Sequence, residues 1–469
     1  MEGEGTWAEE EFGEAELGDV RRTERLVQLA AVLGAEPSAS LPEATNDAAT
    51  LKAAYRFFDN DDVRAEAILA SHVQSTMQRL QKVATVLAVQ DTTYLDWTDH
   101  KATTGLGPLA VTSHQGLVAH TTLALTPERV PLGLLQQQVW SRDPAVRRQD
   151  DHKQRPIGEK ESQKWLTSLE AVNATRTLCP ATHFISVGDR EADVYELFLA
   201  PRLPGVDLLV RAGQDRKVDG PERYLWAMME KAPVIGTVLI PVGAREGQPK
   251  RSAQLNVQWQ QVTLRPPNSL AKQKLPTITV WVVRASEDSP PSDVSPIEWL
   301  LLTTVPVLNN TDALERLEWY SARWGIEVWH KVLKSGCRIE SRQLETAERL
   351  KRCLALYSVI AWRVLYATML ARAVPDAPCT LLLTEDEWQA LYFRIHRTTV
   401  LPVRPPSLRT AVRWIAQLGG FLNRTGDGEP GVTTLWRGFQ HLVDITAMYQ
   451  IMRPVHPTSS LLPSNKSSG

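Results

Sequence analysis

The sequence predicts an α/β protein in which a central domain carries a mostly antiparallel β insertion and is flanked by helical domains at both ends. Three observations support this class. A valine-rich apolar run at 83–90 and a second apolar run at 183–188 are typical of buried strands. Further strand-like runs follow between 205 and 307. Apolar residues at helical spacing dominate both ends of the chain.

Composition excludes several classes of protein. The 469 residues, 43% hydrophobic and 23% charged, are ordinary for a globular protein of several domains. No apolar run reaches about 18 residues without a charge, which argues against a membrane span, and the acidic N-terminus is no signal peptide. The four cysteines are far apart, as in reduced cytosolic proteins. We therefore expect a cytoplasmic protein without a zinc site or a membrane anchor.

The first predicted domain, 1–70, is helical. Leu17-Gly18-Asp19 precedes a helix with one apolar stripe, and the run at 51–58 and a long helix to about 81 follow. Short helices that carry arginines suit DNA docking, although a plain helical bundle has the same pattern. The net charge of −2 provides no bulk attraction for DNA, so such binding requires local patches. The candidate contacts are Arg21, Arg22, Arg25 and Arg56.

The central domain begins with 71–204. The strand at 83–90 ends in Asp91, two candidate strands follow at 117–127 and 130–140, and a charged stretch at 141–164 reads as a loop. The strand HFISVG ends in Asp189. Its neighbours Glu191 and Asp193 are alternatives for this second acid, but we prefer Asp189 because a sheet fixes the carboxylate at its strand end.

The remaining segments complete the predicted architecture. Five strand-like runs form the insertion at 205–307, and the central domain resumes at 308–372. A C-terminal helical domain covers 373–469, with a tail from about 454 that has the composition of disordered segments. Its amphipathic segment 433–452 is a candidate contact with a second subunit, and packing within one chain explains the pattern equally well.

A helix at 319–338, interrupted only by Gly325, carries the most informative polar residues. At about 100° per residue, Tyr320, Arg323, Glu327 and Lys334 fall on one narrow stripe. Lys331 lies beside this stripe, and Trp324, Val328 and Val332 are expected to face inward. A surface ion-pair network is the ordinary explanation. However, three cations around one carboxylate suit a phosphate site in which the acid binds a cation.

Two strand-end aspartates and one helix glutamate form the arrangement of a ribonuclease-H-like domain. Cleavage of a phosphodiester by water requires an activated nucleophile and a stabilised leaving oxygen, which two divalent ions about 4 Å apart supply. Such ions prefer oxygen ligands. Asp91, Asp189 and Glu327 are therefore candidate catalytic residues and ligands of two Mg²⁺ ions, for which Mn²⁺ substitutes. Arg323 and Lys334 would hold phosphates, and Tyr320 would contact the DNA backbone.

The spacing Tyr320-x2-Arg323-x3-Glu327-x6-Lys334 resembles the Y-R-E-K signature of bacterial insertion-sequence transposases of the DDE class. More narrowly, it is similar to the insertion sequence four family, of the transposon five type. The blocks LGDVRRTERL, AAYRFF, EKES-x-KW and DREAD resemble that family as well. The resemblance implies that the N-terminal domain recognises transposon ends. Further DNA contacts would be Lys160, Lys164, Arg190, Arg211 and Lys331.

The resemblance also implies a reaction. The family nicks the element's end, forms and opens a hairpin, and joins the freed end to target DNA. Its partners are the terminal inverted repeats, target DNA and a second copy of the protein, in the bacterial cytoplasm at the nucleoid. Trp299 matches the tryptophan on which the family stacks a flipped base, although its alternation with Ile297 and Leu301 also fits a core strand.

Two other functions remain open at this stage. A ribonuclease-H-like nuclease without strand transfer would use the same acids, but the β insertion would have no evident purpose. An inactive, domesticated DNA-binding descendant would have no need for the intact acids and signature. Short inverted repeats in the flanking DNA would favour the transposase.

Overall fold

The computed structural model describes residues 6–45, 47–111, 113–143, 156–242, 251–292 and 294–452. Contacts within the chain divide it into two compact units, Met1–Ala373 and Val374–Gly469. The predicted disordered tail from about 454, and residues 144–155 of the predicted charged loop, lie outside the described residues. The finer domain boundaries at 70, 204 and 307 stay predictions.

The N-terminal region is helical, as predicted. Its helices are α1 (Trp7–Phe12), α2 (Val20–Ala35), α3 (Leu41–Thr45), α4 (Ala48–Asp59) and α5 (Ala65–Leu80). The Asp19 side chain caps α2 by accepting a hydrogen bond of 2.9 Å from the Arg21 amide. The predicted apolar stripe of α2, from Leu26 to Leu33, is fully buried.

Ten strands of the described chain form one mixed sheet. They are β1 (Thr85–Asp96), β2 (Gly107–Pro108), β3 (Gln115–Leu125), β4 (Pro131–Trp140), β5 (His183–Gly188), β6 (Val206–Arg211), β7 (Gly236–Val242), β8 (Arg251–Leu264), β9 (Ile278–Glu287) and β10 (Glu298–Thr303). The strand order is β2-β3-β1-β5-β6-β10-β9-β8-β7, with β4 paired to β3. Only β1–β5 and β5–β6 are parallel, as expected for strands joined by helical crossovers.

The five strands predicted between 205 and 307 are all present, but they do not form a separate sheet. The first of them, β6, pairs in parallel with β5, and β10 then pairs antiparallel with β6. The remaining strands continue from β10 to β7. The insertion therefore extends the central sheet. Only β6 lies between its strand β10 and β5, the strand that leads to Asp189.

Helices cover the sheet and follow it. They are α6 (Gln163–Leu178), α7 (Tyr195–Leu199), α8 (Leu225–Lys231), α9 (Asn310–Ala322), α10 (Trp324–Lys331) and α11 (Ala347–Ala373). Within the described residues, α11 alone is long and apolar enough to cross a membrane by length and composition. Its most apolar stretch is 78% buried inside the protein, so α11 is a core helix here.

As far as Met452, where the described residues end, the second unit contains three α-helices, α12 (Glu385–His396), α13 (Leu408–Leu418) and α14 (Val432–Met452). Thr384 and Glu387 form a capping box at the start of α12. Helix α14 packs against its unit through Leu435, Phe439 and Leu442. Its last two turns nevertheless expose apolar side chains, at Met448, Ile451 and Met452. The face that carries them is left uncovered within the unit.

Candidate active site

The sheet brings Asp91 and Asp189 to equivalent positions on neighbouring strands. Parallel pairing of β1 with β5 ends at Val89 opposite Val187. Each aspartate lies two residues further along its strand, and side chains two residues apart share a face of a sheet. The two carboxylates therefore project from the same face at the carboxyl end of β5. The prediction that the first strand ends at Asp91 is wrong, because β1 stays paired with β3 as far as Asp96.

The structure separates Asp189 from its two alternatives. Asp193 is buried and already saturated, since it accepts hydrogen bonds from Gly213, Gln214 and the Arg216 guanidinium. Glu191 has a side chain that is 60% exposed and pairs with Lys164 at 3.1 Å. Asp193 is thus a structural acid, and Glu191 is held in its ion pair with Lys164. Asp189, by contrast, interacts electrostatically with Asp91.

Helix α10 brings Glu327 to the same face of the sheet. The helix is fixed by fully buried Ile326 and Trp329, and the Trp329 indole donates to the Ser358 carbonyl on α11. Gly325 permits a close approach, because a Cβ there would lie 3.0 Å from Cδ1 of Leu125 on β3. The glycine that was expected only to interrupt the helix is therefore a packing residue.

The polar stripe differs from the prediction in two respects. The helical run breaks at Arg323 rather than at Gly325, and a π-helical turn, Val332–Gly336, follows α10. The prediction that Trp324 faces inward is wrong, since Trp324 is 59% exposed. Lys334, within the π turn, donates to the Tyr94 carbonyl and lies 3.4 Å from Glu340. It therefore lies further along β1 than Glu327 does.

The Arg323 guanidinium lies between the acids. Its Nη2 donates to Glu327, and its Nη1 lies 3.8 Å from Oδ1 of Asp91. The charge of Asp189 also acts on it. The side chain is only 12% exposed, and Nη1 is buried without a hydrogen-bond partner in the described chain. A buried donor of this kind usually has a partner, so a bound group is expected at this point.

The three carboxyls differ in pKa because their surroundings differ. Burial raises the pKa of Asp189 above its usual value, and the negative charge of Asp91 adds to this effect. Burial likewise raises the pKa of Glu327, with the Asp91 charge acting in the same direction against Arg323. Burial alone would also raise the pKa of Asp91, but His330 and Arg323 outweigh it and hold that pKa below its usual value.

His330 is a site residue that the sequence analysis missed. Its Nδ1 lies 3.5 Å from Oδ2 of Asp91, the oxygen that Arg323 does not face. A signal for it exists in the sequence, since Arg323, Glu327 and His330 follow the i, i+4, i+7 spacing of one helix face. A single histidine on an apolar helix nevertheless resembles an ordinary core residue, so this spacing alone does not distinguish it.

The donor chemistry of the site suits a divalent metal. Three carboxylates from β1, the end of β5 and α10 surround a buried cation, Arg323, and Mg²⁺ prefers oxygen ligands of this type. In the described part of the chain, however, no three His, Cys, Asp or Glu side chains stand close enough to hold an ion. Asp91 and Glu327 are instead linked through the Arg323 guanidinium.

An aromatic pair borders the acids. Tyr320 on α9 is buried, which raises the pKa of its hydroxyl, while the positive charges of Arg323 and Arg211 act in the opposite direction. The Trp299 ring, at the start of β10, stands edge-to-face on Tyr320 with centroids 5.5 Å apart. Trp299 is only half-buried, whereas Leu301 on the same strand face is fully buried. A second ring could therefore reach Trp299.

The other predicted DNA contacts lie in varied surroundings. Arg190 and Lys331 are exposed, and Lys160 is half-buried. Lys164 is 8% exposed and bonds to Glu191, so a DNA contact would require that ion pair to break. Among the N-terminal arginines, Arg21 pairs with its own helix cap Asp19, and Arg22 is bonded to Asp62 at 2.5 Å. Arg25 is half-buried, and all of these assignments stay predictions.

A pocket of about 620 Å³ lies between α4 and the segment that leads into α11. One wall carries Lys52, Tyr55 and the predicted contact Arg56, all on α4. The opposite wall contains residues 343–345 and Arg349. Arg349 ties the walls together, since its guanidinium bonds to both Asp59 and Glu345. The pocket thus presents basic and aromatic groups of the N-terminal helices on a rigid support.

Two family models match the chain, one towards each end. Residues 4–63 match a transposase DNA-binding domain, and residues 359–454 match the transposase Tn5 dimerisation domain. The first match contains α2 and α4 with their arginines, and the second runs from within α11 to the end of α14. Both describe parts of transposases, and they indicate a transposase that binds DNA.

The dimerisation match narrows this class. Together the two matches indicate a transposase of the Tn5 type, which confirms the resemblance seen in the Tyr320–Lys334 signature. They also confirm two predicted partners, DNA and a second copy of the chain.

Proposed function

We propose that the protein catalyses cut-and-paste transposition, with Asp91, Asp189 and Glu327 as the acids of one metal-dependent site in a ribonuclease-H-like domain. One observation carries the proposal: acids from β1, the end of β5 and α10 all interact with the single buried guanidinium of Arg323. Three acids of separate sequence origin that converge on one cation define a site for a polyanion and its metal ions.

Each residue has a distinct role in this proposal. Two Mg²⁺ ions, bound by the three carboxylates, would activate the attacking oxygen and stabilise the leaving one. Arg323 and Arg211 bind phosphate oxygens beside the acids, and Lys334 binds the backbone further along β1. Tyr320 supports Trp299, which stacks on a base that leaves the helix.

The four steps of transposition use the same chemistry. Water attacks a phosphorus at the element's end, and the 3′ oxygen leaves with the bonding electrons. That 3′-OH then attacks the opposite strand and forms a hairpin, a second water opens it, and the 3′-OH attacks target DNA. Each step exchanges one phosphodiester P–O bond for another or for a water oxygen, so one site serves all of them.

Dimerisation pairs the two ends of an element. We assign the contact to α14, within the predicted segment 433–452, because its last turns expose Val443, Met448, Ile451 and Met452. Neighbouring apolar side chains of this size are uncommon on the surface of a protein without a partner. Each subunit would then cleave one end while the pair is held together. We place this activity in the bacterial cytoplasm, at the nucleoid.

End binding should depend on the basic wall of the α4 pocket. The full chain with Lys52→Ala and Arg56→Ala should bind a duplex carrying the element's inverted repeat about tenfold more weakly in gel-shift titrations near 0.15 M salt. The slope of log K against log salt should fall by about 0.9 for each phosphate that the variant no longer neutralises. Lys231→Ala, which removes an exposed lysine on α8, serves as the control for the loss of a surface charge and should change neither quantity. Equal salt slopes for all three chains would remove the pocket from end recognition.

Trp299→Ala should separate nicking from hairpin formation. Extruding a base costs about a few kcal/mol, and stacking on an aromatic ring returns about 1–3 kcal/mol. The variant should therefore nick the first strand normally while its rate of hairpin formation falls by about tenfold or more. Both products are resolved on a denaturing gel.

Trp281→Ala is the matched control for this experiment. Trp281 is also half-buried and, because it pairs with Thr303, lies on the same sheet face as Trp299. It packs on the Trp259 ring, whereas Trp299 packs on the Tyr320 ring. The control should form hairpins at the wild-type rate. If Trp299 is instead a core residue, its loss should lower stability by about 3–5 kcal/mol and slow every step equally.

An excision assay tests the proposed function as a whole. A plasmid carries a marker between the inverted repeats that flank the gene, and the protein is supplied with Mg²⁺ and a target plasmid. Transposition predicts a marker released at both ends and joined to the target. Nicks without joining would indicate a nuclease, and binding without cleavage would indicate a descendant that only binds DNA.

A further inference from the structure

The buried histidine of α10 has no role in the proposed reaction so far. His330 is 8% exposed, on a helix face where its neighbours Ile326 and Trp329 are fully buried. A polar ring at such a position is costly unless it is hydrogen-bonded. Its Nε2 is buried and has no hydrogen-bond partner in the described chain, so packing alone does not explain the residue.

The geometry around Asp91 suggests what the ring does. Nδ1 of His330 faces Oδ2 of Asp91 at 3.5 Å, and Arg323 faces the other oxygen, Oδ1. When Nδ1 of His330 carries the proton, its N–H attracts the ionised carboxylate of Asp91. Nε2 then presents a lone pair, which costs less without a partner than a buried N–H would. The neighbourhood thus favours one tautomer and one orientation of the carboxylate.

We propose that His330 is a positioning residue, which holds Asp91 through Nδ1–H and leaves Oδ1 directed at the place where the metal ions bind. This inference rests on the proposed function, since it concerns a ligand of that site. Groups that orient a metal ligand without touching the metal commonly change metal affinity by about 10–100-fold when removed. His330 should act in this way, through Asp91 alone.

Two substitutions at this position separate positioning from packing. His330→Leu keeps most of the volume and removes the donor, whereas His330→Asn places an amide N–H close to the position of Nδ1. The matched control is His120→Leu. His120 is also a buried histidine whose Nε2 has no partner in the described residues, and the charge of Asp91 acts on it as well. Its Nδ1, however, contacts Thr92 at 2.9 Å rather than an acid, so it senses Asp91 without holding it.

The first measurement is Mn²⁺ binding to the full chain, monitored by the loss of the electron paramagnetic resonance signal of free Mn²⁺. The second is the Mg²⁺ concentration at which nicking reaches half its maximal rate. His330→Leu should weaken Mn²⁺ binding and raise the half-saturating Mg²⁺ by about tenfold or more. His330→Asn should recover most of both, and His120→Leu should match the wild type. Thermal melting and end binding should remain close to wild type for His330→Leu and His330→Asn.

Several results would overturn the inference. Unchanged metal dependence in His330→Leu, or equal damage in the Leu and Asn variants with a matching loss of melting temperature, would leave His330 a packing residue. If His330→Leu does not fold, His330→Gln replaces it. The Gln amide lies one bond further out than the Asn amide, so the Gln variant should bind Mn²⁺ more weakly than the Asn variant. Equal affinity of those two also contradicts the inference. If the wild type itself fails to nick with Mg²⁺, the proposed function fails instead.

Discussion

Replacing any one of Asp91, Asp189 and Glu327 by alanine should abolish Mg²⁺-dependent strand cleavage, with a loss of about 10³-fold or more. Each substitution removes a metal ligand from a different element, so the three effects should be alike. End binding should stay within about twofold of wild type, because the α4 pocket that supports it lies apart from the acids. Denaturing gels and gel-shift titrations measure the two quantities.

Two neighbouring acids control for this prediction. Glu191→Ala removes an exposed carboxylate two residues from Asp189 and should leave cleavage intact. Asp193→Ala leaves Arg216 buried without its partner, and this should cost about 3–5 kcal/mol of stability. Cleavage near the wild-type rate by Asp91→Ala, Asp189→Ala or Glu327→Ala would remove that residue from the site.

Arg323→Ala should have opposite effects on metal binding and on cleavage. In the DNA-free chain the guanidinium occupies the space between Asp91 and Glu327. Its removal should raise Mn²⁺ affinity by about tenfold, since a positive charge near 4 Å from a carboxylate competes with any bound cation. Cleavage should fall by about 10²–10³-fold, because the same guanidinium binds phosphate in the reaction.

Lys331→Ala provides the charge-matched control. Lys331 is exposed on the helix that begins after Arg323, and salt in the solvent screens its charge. Its removal should therefore change Mn²⁺ affinity by less than about twofold. If Arg323→Ala binds Mn²⁺ no more tightly than Lys331→Ala does, the guanidinium does not obstruct the metal site. Wild-type cleavage by Arg323→Ala would in turn exclude it from phosphate binding.

The sequence alone predicts the strands well and the contacts of the site less well. Apolar and alternating runs indicated β1, β5 and all five strands at 205–307, because buried strands have a strong compositional signal. The continuation of β1 beyond Asp91 was missed, since QDTTYLD is too polar to read as a strand. Its pairing with β3 stabilises it, and this is a long-range interaction that local sequence does not contain.

The prediction for Lys334 on the Glu327 helix was wrong for a local reason. An ideal period of 3.6 residues placed Lys334 beside Glu327, but the π turn after Lys331 changes the rotation of the residues that follow it. Burial of Lys164 and the role of His330 depend on tertiary neighbours, Glu191 and Asp91. The preference for Asp189 over Asp193 came from its position at a strand end, and the buried pair of Asp193 with Arg216 agrees with it.

The most direct test of the three-acid site follows a duplex that carries the inverted repeat. The strand that is nicked first is labelled at its 5′ end, inside the element. The wild-type chain with Mg²⁺ should first give a nick at the repeat's end and then a hairpin that migrates as a covalently closed end on a denaturing gel. Both products should vanish in EDTA and in the chain that carries Asp91→Ala, Asp189→Ala and Glu327→Ala together. Hairpins formed by that triple variant, or equally well without metal, would contradict a metal-dependent site built on these three carboxylates.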